Sequence, residues 1–176
     1  MDLTSRLRRL FPAKPWLRRL LEVGLIIFVI GGAHLYQTHG LPEGAAPPLA
    51  GALTDGRRVE VGAGDTAMLV TFWATWCPVC KAEEGNIVSV AKDYRVISVA
   101  MQTGDAATVN KYLNERAIDL PALVDVEGDH AANWRVRGVP THFVVDAGGK
   151  IRFRVVGYAT TWGLKARLWW AENFAA

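Results

Sequence analysis

Cys77 and Cys80 are the only cysteines in 176 residues, and they sit in the stretch "FWATWCPVCK" with Trp73 and Trp76 before them and Lys81 after. A Cys-x-x-Cys pair can staple a fold, share a soft metal ion, or exchange electrons with another thiol pair. A bridge over so short a loop restrains little of the unfolded chain and stabilises little. Structural zinc takes four protein ligands, and the chain has no second Cys pair. Copper(I) is satisfied by two thiolates, and His130 or His142 could add a third ligand, the other two histidines (His34 and His39) lying outside the domain. Electron exchange uses both sulfurs, one attacking and the second releasing the mixed disulfide. Exchange and copper binding both stay open at this point.

The elements around the pair favour exchange. "AMLVTFWA" (67–74) is apolar, β-branched and aromatic, which predicts a buried central strand. Pro78 suits the first turn of a helix, and Val79 to Lys92 carries helical spacing. The cysteines then lie at a strand's carboxyl end and a helix N-terminus, where backbone N–H groups and the helix dipole favour a thiolate on the first sulfur. Cys77 is the expected attacking sulfur, and Cys80, a turn later and more enclosed, the resolving one.

Downstream, 94–101 predicts a second buried strand, 105–117 a helix capped by Asp105, 122–126 a short strand and "DHAANWRV" a short helix. "THFVVD" and "KIRFRVV" flank Ala147-Gly148-Gly149 as a hairpin, and 160–174 predicts a last helix, with Gly163 against it and Trp169-Trp170 packing on the core. Upstream, "GALTDGRRVEV" predicts a hairpin turning at Asp55-Gly56. This order implies an α/β fold with a mixed central sheet flanked by helices.

Charge divides the chain unevenly. Residues 1–36 hold six basic side chains (Arg6, Arg8, Arg9, Lys14, Arg18, Arg19) against Asp2 and Glu22, leaving 14 basic against 15 acidic beyond them. The near-neutral body argues against a nucleic-acid surface. From Leu20 to Tyr36 the only formal charge is Glu22, and Trp16 and Tyr36 suit the two membrane interfaces. The expected organisation is a basic cytoplasmic segment at 1–19, a single transmembrane anchor at 20–36, a Gly/Pro linker at 37–48 and the domain at 49–176. Positive charge inside places the domain across the membrane. A cleaved signal peptide ending near Gly31-Gly32-Ala33 is the competing reading.

"VTFWATWCPVCKAE" resembles the active-site segment of thioredoxin-like proteins, and "GVPTHFVVDAGGKI" resembles their second signature, where a cis-proline faces the cysteines. Trp-Ala-Thr-Trp-Cys-Pro followed by Lys-Ala-Glu is similar to the TlpA-like branch of membrane-anchored periplasmic thiol–disulfide oxidoreductases. "VISVAMQTGDAATVNKYL" is similar to its copper-sensitivity suppressor (ScsD-like) group. The resemblance implies a thioredoxin-like fold over about 50–174, preceded by one transmembrane helix in the inner membrane, with the catalytic domain periplasmic. It implies Cys77 as nucleophile, Cys80 as resolving thiol, Pro140 as cis-proline, and a substrate groove lined by Trp76, Pro78, Val139, Pro140 and Thr141. The redox-active Cys77–Cys80 disulfide would be the only redox group, with no metal or other cofactor. The partners implied are protein thiol or disulfide substrates and a membrane electron donor of the DsbD/ScsB kind.

Three departures refine the resemblance. Thr71 stands where thioredoxins keep a buried aspartate that manages proton transfer, and Glu83, one helical turn beyond Cys80, is a candidate replacement. A solvated helix residue is the alternative for Glu83. Thr141 stands where cytochrome c maturation members carry glutamate, which points away from a dedicated apocytochrome role. Potentials in this fold run from about −270 to about −120 mV. The strong oxidants place a histidine next to the first cysteine, where this chain has Pro78 and Val79, so a reductase is expected over an oxidant. Copper carriers of this fold use a wider Cys spacing, and nothing resembles a peroxide-activating Thr-x-x-Cys arrangement.

Overall fold

In a computed structural model, residues 15–62 and 64–175 are described. The basic residues at 1–14 therefore lie outside the described residues. Two units are separable, up to His39 and from Gly40 onward.

The first unit is helix α1 (Pro15–Thr38). Its 24 residues rise about 36 Å, enough to cross the hydrocarbon core of a bilayer. The helix starts before and ends after the 20–36 expected from the sequence, since Trp16, Arg18 and Arg19 continue the helical hydrogen bonding. Arg18 donates to Glu22 at 2.9 Å, one turn away, so the single acidic group of the apolar stretch is paired.

The second unit is built on strand β4, its strand elements being β1 (Gly44–Ala45), β2 (Ala50–Ala52), β3 (Arg58–Glu60), β4 (Met68–Trp73), β5 (Arg95–Met101), β6 (Ala122–Asp125), β7 (Thr141–Val145) and β8 (Lys150–Val156). Helices α2 (Pro78–Ala91), α3 (Ala106–Glu115), α4 (Asp129–Asn133) and α5 (Thr161–Phe174) connect or close it. The sheet order is β1-β8-β7-β4-β5-β6. β4, β5 and β6 are parallel, and β7, β8 and β1 are antiparallel to their neighbours. Parallel neighbours need long crossovers, which α2 and α3 supply. The β2–β3 hairpin turns at Gly56, whose φ of 85° suits glycine.

β4 explains the site's position. Its alternation sends Met68, Val70 and Phe72 to one face, where they pack with Ile97, Phe143 and Trp134. Phe72, Phe143 and Trp134 form an aromatic triangle with centroids 4.9 to 6.0 Å apart. Leu69, Thr71 and Trp73 take the other face, where α2 and α5 lie over Leu69 and Val144. Asp105 caps α3 by accepting from the Thr108 N–H, and Thr160 caps α5 through the Gly163 N–H.

Two expectations are corrected. Residues 37–48 are not wholly linker: Gly44 and Ala45 pair with Ile151 and Lys150, and Leu41 is buried in the core. A Gly/Pro-rich composition hid a two-residue edge strand. The paired tryptophans of α5 are only partly packed: Trp170 meets Phe153 edge-on, while Trp169 stays more than half exposed against Phe174.

Candidate active site

Strand β4 ends at Trp73, and the chain turns tightly so that the Cys77 N–H donates to the Ala74 carbonyl at 3.2 Å. The loop after β5 holds this turn from the side. The Trp76 indole N–H donates to the Gln102 carbonyl at 3.1 Å, and the Thr75 N–H donates to the Thr103 hydroxyl at 3.4 Å. Cys77 is the N-cap of α2 and Pro78 its first residue. The cap position leaves helix N–H groups without intrahelical acceptors, and one of them, on Cys80, donates to the Cys77 sulfur at 3.2 Å. The Cys77 thiol itself donates to the Val139 carbonyl at 3.5 Å, so the loop before β7 reaches the first of the two sulfurs. The Val139–Pro140 peptide is cis.

Exposure does not separate the two cysteines: Cys77 is 4% and Cys80 3% exposed, and both are free thiols. Their surroundings do. Burial above all, then the neighbouring Cys77 sulfur and the Glu83 carboxylate, push the Cys80 thiol well above the ordinary thiol range.

Glu83 is 2% exposed, so the solvated-helix alternative is overturned. Its Oε2 accepts from the Ala159 N–H at 2.9 Å. Its Oε1 lies 3.2 Å from His142 Nε2, an ion-pair distance without hydrogen-bond alignment. His142 Nδ1 meets the Thr71 hydroxyl at 2.9 Å. Thr71 and His142 are register partners on β4 and β7, so both side chains stand on the face under α2. Cys80, Glu83 and Thr71 line one cavity of about 30 Å³ with Trp73, Ser98 and Glu84. That space is large enough for one water molecule.

The expected groove residues divide. Trp76 is 57% exposed beside the cysteines, Pro78 is exposed and Val139 half-buried. Thr141 is corrected: its side chain is buried, with its hydroxyl donating to the Gly138 carbonyl at 2.8 Å, so it shapes the loop from within. Pro140 is likewise buried. The Thr71–His142–Glu83 cluster was not assembled from sequence. His142 was considered only as a copper ligand and Thr71 only as a lost acid. A partial signal exists for Thr71, the one polar residue in the otherwise apolar strand β4.

Comparison with known proteins follows the same division. The profile of the AhpC/TSA family matches residues 43–154. A thioredoxin-like protein of Haemophilus influenzae is 38% identical over 60% of this chain and 64% of its own. A thiol:disulfide interchange protein DsbE homolog of Paracoccus denitrificans is 33% identical over 51% of this chain and 50% of its own. The chain thus spans about half to two thirds of these relatives' length. Among solved structures, a thiol:disulfide interchange protein of the thioredoxin family from Chlorobium tepidum superposes with a TM-score of 0.62 at 26% identity. It covers 74% of this chain and 97% of its own.

Proposed function

We propose that this chain, which belongs to the AhpC/TSA family, is a membrane-tethered thiol–disulfide oxidoreductase working as a reductase of protein disulfides. The observation that carries the reading is the Cys77 sulfur at the cap of α2, bonded by the Cys80 N–H and touching the Val139 carbonyl. The names of the Paracoccus and Chlorobium relatives, thiol:disulfide interchange proteins, support the same exchange.

The steps balance with the cysteines alone. The Cys77 thiolate attacks one sulfur of a substrate disulfide, forming a mixed disulfide and releasing the other substrate sulfur as a thiolate. Cys80 gives its proton to Glu83 and attacks Cys77. The Cys77–Cys80 bond forms, the second substrate sulfur leaves with its electron pair, and both substrate sulfurs take up protons. Two electrons pass from the cysteine pair to the substrate. A membrane protein of the DsbD/ScsB kind would return them, and tethering by α1 would raise the effective concentration of the pair. In this reading the domain faces the periplasm and the basic segment at 1–19 the cytoplasm. The ScsD-like stretch supports a place in copper tolerance through thiol repair. Copper(I) carriage is less well supported, because His142 turns both ring nitrogens inward, to Thr71 and Glu83.

Acid quench and thiol tagging in cells test the direction, with a mainly dithiol pair expected for a supplied reductase. Cys77→Ser is expected to abolish insulin reduction, and Cys80→Ser to accumulate mixed disulfides. Full activity in Cys77→Ser would sink the mechanism. Tight stoichiometric copper(I) binding that depends on His142 would favour the carrier instead.

A further inference from the structure

A buried histidine stands behind the cysteine pair with no part in the exchange steps above. His142 is 0% exposed, on the β7 face that looks at α2. Carrying an imidazole into a core costs free energy unless its nitrogens find partners. An aromatic or aliphatic residue would fill the place without that demand. The polar partners on the page are Thr71 at Nδ1 and Glu83 at Nε2.

The two partners choose the tautomer between them. A carboxylate oxygen only accepts, so the nitrogen facing it is the one that carries hydrogen. That leaves Nδ1 as an acceptor, and the Thr71 hydroxyl donates to it at 2.9 Å. The chain of donors then runs from Thr71 through the ring to Glu83. At its end the carboxylate is held unequally. Oε2 is fixed by the Ala159 N–H at 2.9 Å. Oε1 faces Nε2 at 3.2 Å without alignment and so keeps acceptor capacity. Cys80 lines the same cavity, and its thiol is the group in need of a base.

We propose that His142 is a positioning residue for the resolving step: with Nδ1 accepting from Thr71 and Nε2–H facing Glu83, it orients the carboxylate so that Oε1 takes the Cys80 proton. The inference rests on the exchange reading above. The titratable groups facing His142 are few. From α2, among the described residues, they are Glu83 and, beside it in the cavity, Cys80. Glu84 lines the cavity too, but is held by Arg116 at 2.6 Å and by the Tyr112 hydroxyl of α3. β4 offers Thr71 and β8 offers Val155 as register partners. On α5, Lys165 pairs with Asp93, and Arg167 donates to the Gly163 carbonyl.

The test uses the full chain in detergent and separates the two steps. Mixed-disulfide formation, followed in a Cys80→Ser background, reports attack by Cys77. Release of the second substrate thiol, followed with both cysteines present, reports resolution. His142→Leu is expected to slow resolution at least tenfold near pH 7, to move its pH dependence upward, and to leave attack within about twofold. His142→Gln, whose amide N–H can replace Nε2–H, is expected to recover part of the loss. In a Glu83→Gln background the His142→Leu effect should vanish, because the residue it serves has gone. If the leucine variant does not fold, Thr71→Val decides: it removes only the hydroxyl and should slow resolution several-fold with the same pH displacement. Equal slowing of both steps, an unmoved pH profile, or full additivity with Glu83→Gln overturns the proposal while the exchange reading stands. A wild type that forms no mixed disulfide overturns both.

Discussion

The outer and inner sides of the Cys-x-x-Cys turn are a few ångströms of chain apart and built on opposite plans. Outside, Trp76, Pro78 and Val79 are exposed, and the nearest fixed polar groups are backbone: the Gln102 and Val139 carbonyls. Inside, Cys80, Glu83, Thr71 and His142 are all buried, and the contacts run between side chains. A surface that reads many partners is served by backbone groups and an apolar rim, because neither depends on a partner's sequence. A proton-handling site needs fixed side chains shielded from water, where each interaction is stronger and each unpaired group costlier. The difference teaches that, in the proposed exchange, Cys77 would meet varied substrates at an adaptable rim while Cys80 would meet the same buried side chains at every turnover.

The largest effect expected to break this contrast comes from Glu83→Ala. It leaves the Ala159 N–H and the His142 ring without an acceptor inside the core, at a cost of about 2 kcal/mol, read by chemical denaturation. Resolution should slow by about a hundredfold. A stable, fast Glu83→Ala variant would mean that the inner side is mere packing.

A smaller effect comes from pH. Folding holds the Cys80 thiol above its ordinary range, so above the unfolded value of about 9 the unfolded chain releases a proton that the native state keeps. The associated stability is complete below that pH and is lost as pH rises toward the folded value. Reduced protein should therefore lose up to about 1.4 kcal/mol per pH unit above pH 9 relative to Cys80→Ser. Parallel pH curves for the two proteins would contradict the burial of this thiol.

The smallest stability change is expected outside. Trp76→Ala removes an exposed side chain and should alter stability by no more than about 0.5 kcal/mol. Reduction of a folded protein disulfide should nonetheless fall several-fold, while a small disulfide reacts as before. Equal losses with both substrates would make Trp76 a support of the turn instead of a contact surface.

Legibility from sequence follows the same line. The placement of Cys77 and Cys80 was readable because local pattern carries it, a buried strand and a proline at the helix start, whereas the cis Val139–Pro140 bond was readable only through the resemblance of "GVPTHFVVDAGGKI" to a thioredoxin-like signature. The central elements were readable for the same reason, with β4, α2, β5 and the β7–β8 hairpin within a few residues of their expected ends. Glu83 was half-readable, since helical spacing puts it near Cys80 but says nothing of burial. The Thr71–His142 pair depends on the register of two strands 71 residues apart, which no local signal fixes. The resemblance places Thr141 in the loop that lines the groove but says nothing of its side chain, which strand alternation and a bond to the Gly138 carbonyl turn inward. The β1 strand escaped because two residues, Gly44 and Ala45, offer no periodicity to detect.

Those two residues matter beyond their size. By pairing with Lys150 and Ile151 they occupy the flank of β8 that would otherwise present unpaired N–H and C=O groups. A free flank of that kind recruits other chains by strand addition and begins aggregation. Covering only Lys150 and Ile151 of β8, this two-residue strand shortens that edge, and a version begun at residue 47 should expose it while keeping both cysteines, which a comparison of self-association by the two versions would check.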